Sequence, residues 1–137
     1  MLLLCLFASC DFDQGLGLQK TKITGKVIFI DSAARPDNVD EVRVVASAEF
    51  PPAGLADIYF GNPVAFDRDT AEYEILAPEG SYAAVGVLWK PHGGDWSLSS
   101  LLGFYGFKPP LEAALQPVHL TKEQPIAANI DIFALWA

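Results

Sequence analysis

The chain has 137 residues, a formal net charge of −8, 51 % apolar residues and 19 % charged residues. That length suits one domain, and the apolar share is enough to build a core, which excludes a disordered chain. The acidity, spread along the chain with no cluster of lysine or arginine, argues against a nucleic-acid partner, whose phosphates would be repelled.

The first ten residues, Met1-Leu-Leu-Leu-Cys5-Leu-Phe-Ala-Ser-Cys10, are apolar and switch abruptly to Asp11-Phe12-Asp13. An apolar run closing on Ala8, Ser9 and Cys10 resembles the end of a bacterial lipoprotein signal peptide. The resemblance implies cleavage before Cys10 and a lipid on its thiol. The run is shorter than the roughly 20 residues that span a bilayer, and no Lys or Arg precedes it, so the leader is expected to extend upstream of Met1. The alternative is a buried first strand with Cys10 as a core thiol, which the polar switch after Cys10 disfavours. The expected organisation is a leader over 1–9, a lipidated Cys10 and tether over 10–21, and a folded domain over 22–137. With Cys5 removed and Cys10 acylated, the domain has no thiol for catalysis, zinc or redox chemistry.

From Lys22 the sequence takes a period of two, with Ile23, Gly25, Val27 and Phe29 on one face of a strand ending at Ile30. Glu41–Phe50 alternates again, with Val42, Val44, Ala46 and Ala48 inward, and Pro51-Pro52 ends it. A short strand is predicted over Asp57–Phe60, another over Thr70–Leu76, and a tight turn over Ala77–Gly80. Ser81–Lys90 is apolar on both faces, which predicts a central strand. Pro91–Ser100 reads as a long loop, and Leu101–Phe107 and Pro117–Thr121 as strands. Ile126–Ala134 completes the set, with Ile126, Ala128, Ile130 and Ile132 expected inward. Leu111–Leu115 is the only helical-looking stretch. Seven or eight strands between turn signals predict an all-β fold, a single antiparallel β-sandwich.

Ile23-Thr-Gly-Lys-Val27, Val42–Ala48 and the Tyr73-Glu-Ile…Pro78-Glu-Gly80-Ser-Tyr82 element resemble the carboxypeptidase regulatory-like, transthyretin-like (prealbumin-like) sandwich family over about half the chain. The resemblance implies a Greek-key sandwich, with immunoglobulin-like topology as the alternative, in a small extracytoplasmic module. Gly25 is expected where another backbone or ring comes close, and Gly80 where a turn needs positive φ. Tyr73 and Tyr82 are expected to bury their rings and keep their hydroxyls bonded. An enzyme of similar fold, the hydroxyisourate hydrolase, ends in Tyr-Arg-Gly-Ser; the present ending Phe133-Ala-Leu-Trp-Ala137 disfavours that activity.

Chemistry-bearing residues are sparse. His119 is predicted to face solvent from its strand. His92 and Asp95 share the Pro91-His-Gly-Gly-Asp95 loop, where imidazole and carboxylate are three residues apart, an incomplete set for a metal or for acid–base work. Phe66-Asp67-Arg68-Asp69 reads as a hairpin turn offsetting its own charges, and no serine sits in a nucleophile elbow. No catalytic residue, metal or cofactor is therefore expected. The best binding candidates are aromatic: Trp89, Trp96 and Tyr105, with Phe104 and Phe107, crowd around the Gly93-Gly94 loop. Rings flanked by polar groups stack sugars or anchor protein partners, and an exposed edge strand is a second candidate surface. The expected function is a non-enzymatic cell-envelope lipoprotein acting as a binding or structural module. The alternative is a surface lipoprotein that captures carbohydrate through Trp96, Tyr105, Trp89, Asp95 and His92. The implied partners are a membrane through the lipid and a protein or glycan, with self-association left open. The implied location is the periplasmic or outer face of the envelope, in either membrane.

Overall fold

The computed structural model describes residues 21–109 and 112–136, so Cys10, the leader and most of the tether lie outside the described residues. The fold is all-β. The strands are β1 Lys22–Ile30, β2 Val39–Ser47, β3 Ile58–Pro63, β4 Thr70–Leu76, β5 Gly80–Tyr82 and β6 Ala84–Pro91, then β7 Leu101–Phe104, β8 Phe107–Lys108, β9 Glu112–Ala113, β10 Val118–Leu120, β11 Ile126–Ala127 and β12 Ile132–Leu135. Three single 3₁₀ turns, Ser32–Ala34, Leu55–Asp57 and Leu98–Ser100, are the helical content among the described residues.

One sheet runs β3-β2-β6-β7, antiparallel throughout. Its register sets the inner face: Val42 stands opposite Trp89, Val44 opposite Val87 and Ala46 opposite Val85. The other sheet is built around β1. β4 pairs antiparallel along one edge, with Gly25 opposite Tyr73, while β11 and β12 pair parallel along the other. Inner residues of both sheets, among them Ile23, Val27, Ile75, Val44, Val87 and Ile132, belong to one buried cluster. Within it Trp136 stacks on Phe29 (5.7 Å, 12°) and meets Trp89 edge-on (6.3 Å). Two small ladders, β5 with β10 and β8 with β9, complete the pairing.

The structure corrects several expectations. The ladder is mixed rather than antiparallel, because β11 and β12 run alongside β1 in its own direction. The Ile126–Ala134 stripe breaks in two. Asn129 takes positive φ (61°), so Ile126 is 49 % exposed, and the buried residues become Ile132, Ala134 and Trp136. Ser81–Lys90 divides at Ala83 because Tyr82 pairs with Val118 in one ladder and Ala84 with Ser47 in another. Leu101–Phe107 bends at Gly106 (φ 106°), where a Cβ would collide with the Ala114 carbonyl oxygen. Glu112-Ala113 extends against Phe107-Lys108 rather than forming a helical turn. Ala48 is exposed and Val45 and Ser47 are buried, so the second half of β2 is buried on both faces. Among the described residues the strands number twelve short pieces for these reasons.

Gly25 has the role the sequence assigns it. Between β11 and β12 the backbone of Ile130 crosses directly over it, leaving no room for a Cβ. Ile130 N donates to Thr24 O (3.0 Å), Lys26 N donates to Asp131 Oδ1 (2.9 Å), and the Tyr73 hydroxyl donates to Ile130 O (2.5 Å). Tyr82 is buried in the same manner, its hydroxyl donating to Pro78 O (2.6 Å). Burial first, then the Asp131 carboxylate and Tyr105, raise the Tyr73 phenol far above its ordinary range. An unfolded phenol ionises near pH 10 while the folded one does not. The stability contributed by neutral Tyr73 is therefore complete below about pH 10 and falls above it by about 1.4 kcal/mol per pH unit. Tyr73→Phe is expected to cost about 1–2 kcal/mol near neutrality, because Ile130 O loses its donor. The variant should also lose less stability than the parent between about pH 9 and about pH 11. Equal alkaline losses in urea unfolding would remove Tyr73 from this role.

Candidate functional site

The five predicted binding residues do not converge. Trp89 lies on the inner face of β6 and packs against the core with Trp136. Trp96 packs against the cluster of Val45, Ile58 and Leu88 on the outer face of the same sheet, its ring 5.4 Å from Phe60 and tilted 56° to it. Tyr105 packs against the core, its N–H donating to Val85 O (2.8 Å) and its carbonyl accepting from Gln116 N (3.0 Å). Asp95 is exposed. His92 does not use Asp95: its Nδ1 lies 3.1 Å from Asp40 Oδ1, and Lys90 Nζ lies 3.4 Å from Asp40 Oδ2. The backbone explains this choice, since His92 N donates to Asn38 O (2.9 Å) and draws the loop to the start of β2. Such exposed pairs contribute about 0.2–1 kcal/mol. His119 faces solvent as expected, its Nδ1 2.8 Å from Ser81 Oγ across the β5–β10 ladder. Arg68 pairs with Asp67 at 3.5 Å in its turn.

The edges of the β3-β2-β6-β7 sheet are turned toward the other sheet rather than left bare. At one edge a Cβ on Gly61 would lie 2.7 Å from Glu74 O, and Glu74 N donates to the Asn62 side chain (2.7 Å). At the other, Gly103 packs so closely on Phe133 that a Cβ would strike its carbonyl oxygen. These approaches leave little edge for a partner strand along β3 or β7.

A candidate site that sequence reasoning missed is a trough on the outer face of this sheet. Its floor is Val45 and Ser47 of β2, Ile58 of β3, and Ala84, Gly86 and Leu88 of β6. The walls are Phe50-Pro51-Pro52 on one side and Leu98, Leu101 and Phe104 on the other, enclosing about 160 Å³. The register produces it: Val45 lies opposite Gly86 and Ser47 opposite Ala84, so small residues meet on the outward face and leave a hollow. Ser47 is buried and satisfied within the chain, its hydroxyl donating to Glu49 O (2.5 Å) and accepting from Glu49 N (3.3 Å). The walls stay open to water: Phe50 is 53 % exposed, Leu98 42 % and Leu101 38 %. Among the described residues no charged side chain lines the trough, whereas the wider clefts hold Glu72, Glu74 and Asp131, or Glu79 and Glu123, or Glu112. Two sequence signals point to it: the apolar outward side of Ser81–Lys90, and the doubled Val44-Val45 that interrupts alternation.

In comparisons with known proteins, no protein-family model, curated protein or solved structure matches the chain, so its site is defined by its own geometry.

Proposed function

We propose that this chain is a non-enzymatic binding module of the cell envelope, a transthyretin-like β-sandwich tethered to a membrane through lipidated Cys10, with the apolar trough as its contact surface. The observation that carries the binding role is that trough: charge-free walls and exposed apolar rims on a chain of net charge −8. Water gains little in such a hollow, while an apolar group entering it loses its contact with solvent. The sandwich reading is supported by the common core drawn from both sheets, and the lipid anchor by the Ala8-Ser9-Cys10 pattern. A rigid apolar cavity of about 150 Å³ accepts a benzene-sized guest. Toluene titrated into the ¹⁵N-labelled protein is expected to shift amides of β2, β6 and β7 saturably. Shifts absent there, or scattered over the surface, would overturn the binding reading. Intact mass of the protein extracted from its native membrane tests the anchor. A chain beginning at acylated Cys10 supports it, and an unmodified chain retaining Met1 removes it.

Glycan capture is the second reading, and one cleft favours it. Tyr105, Phe107 and Phe133 there meet Lys108, Gln116 and Asp131 around about 460 Å³. That mix of rings and polar groups suits a sugar better than Trp96 does, because Trp96 is engaged with Phe60.

A further inference from the structure

Resting on the trough as the binding surface, we propose that its occupant is the alkyl chain of a single-chain amphiphile with a cationic head. The shape of the floor favours a chain over a compact ring. It crosses all four strands, from Ile58 on β3 through Val45 and Gly86 to Leu101 on β7. Strands stand 4.7–4.9 Å apart, so the crossing is about 14 Å long. Leu101 reaches from β7 toward Gly86 on the floor: a Cβ on Gly86 would lie 2.9 Å from Leu101 Cδ1, so a larger residue there would displace the wall.

The head must stay outside. Among the described residues Ser47 is the only polar side chain on the lining, and both of its hydrogen bonds go to Glu49. A carboxylate, sulfate or phosphate inside would be desolvated without a partner, at a cost an alkyl chain does not meet. Outside, the charged residues that adjoin the Phe50–Ile58 end in sequence are both acidic. Exposed Glu49 precedes Phe50, and exposed Asp57 precedes Ile58. The cations of β2 and β6 are engaged elsewhere: Arg43 with Glu41 and Gly61 O, and Lys90 with Asp40. A cationic head at that mouth is attracted both by these carboxylates and by the whole chain, while an anionic one is repelled.

The test is an amide-shift titration of the full chain with butyl- and hexyltrimethylammonium and with hexyl sulfate, chains short enough for about 160 Å³. Each buried methylene tightens binding about three- to fourfold, so hexyltrimethylammonium is expected to bind about tenfold tighter than the butyl compound. It is also expected to bind at least about threefold tighter than hexyl sulfate at low salt, an advantage that shrinks in about 0.5 M NaCl. Leu101→Ser alters an exposed wall residue and, with its melting temperature checked, is expected to weaken both alkyl cations at least about fivefold. The Glu49→Gln/Asp57→Asn double variant is expected to abolish the preference for the cation. Hexyl sulfate binding as tightly as the cation, affinity independent of chain length, or an unaffected Leu101→Ser variant would each overturn the proposal. Toluene shifting the trough while the alkyl probes do not would sink this proposal alone. Failure of both probes would also remove the binding reading on which it rests.

Discussion

Replacing Gly103 with alanine is expected to cost about 3 kcal/mol or more and to lower the melting temperature by roughly 10 °C, if the domain folds at all. Gly103 sits in β7, at the seam where the outer strand of one sheet meets β12 of the other. A Cβ there would run into the carbonyl oxygen of Phe133, with the Phe107 ring close behind. A crowding side chain can rotate away, but a backbone carbonyl moves only with its strand, and Phe133 is paired with Ile28 in the parallel ladder of β12 and β1. The strain therefore passes to the seam, and β7 must withdraw from β12. Gly54→Ala is the matched control. Gly54 has extended backbone (φ −177°) and nothing within 4 Å of a Cβ, so alanine is expected to be neutral or to stabilise by up to about 1 kcal/mol through the unfolded state. Thermal and urea unfolding of the pair decide the matter. A Gly103→Ala protein melting within about 2 °C of the parent would show that the seam does not exist in this form.

Trp136→Ala is expected to destabilise the domain by about 3–5 kcal/mol, the range for emptying a large buried aromatic site. Trp136 is 1 % exposed, stacks on Phe29 and holds Trp89 edge-on, so its loss opens the core between both sheets. Trp136→Phe is expected to behave differently. The indole Nε1 is buried and has no hydrogen-bond partner among the described residues. A buried unsatisfied donor costs about 1–3 kcal/mol, which phenylalanine relieves while retaining a ring against Phe29. The gain offsets much of the lost volume, and the net change is expected to stay within about 1.5 kcal/mol. Urea unfolding of both variants checks this. A phenylalanine variant as unstable as the alanine variant would mean that Nε1 has a partner or that the indole shape is irreplaceable.

Much of the scaffold was legible in the residues. Alternation from Lys22 placed β1, and the flanking turns Phe66–Asp69 and Ala77–Gly80 placed β4, at the limits where they occur. Gly25 and the two tyrosines were readable for the same local reason: a missing Cβ in a strand and a ring with a polar tip each suit few environments. How the candidate binding residues group in space was not. His92 and Asp95 are neighbours in sequence, yet the loop carries His92 to Asp40 on another strand. Trp89 and Trp96 are seven positions apart and lie on opposite faces of one sheet.

What the sequence by itself determined is therefore the all-β class, the positions of the principal strands and the polarity of their inner faces. These follow from side-chain alternation within single segments. Only the tertiary structure decided that β11 and β12 lie parallel to β1, that Asn129 breaks their stripe, and that Val45, Ser47, Ala84 and Gly86 meet to hollow out the outer face. Alternation tells a residue which side of its own strand it occupies. It carries no information about which strand lies beside it, in which direction or in which register, and the trough is made by that pairing.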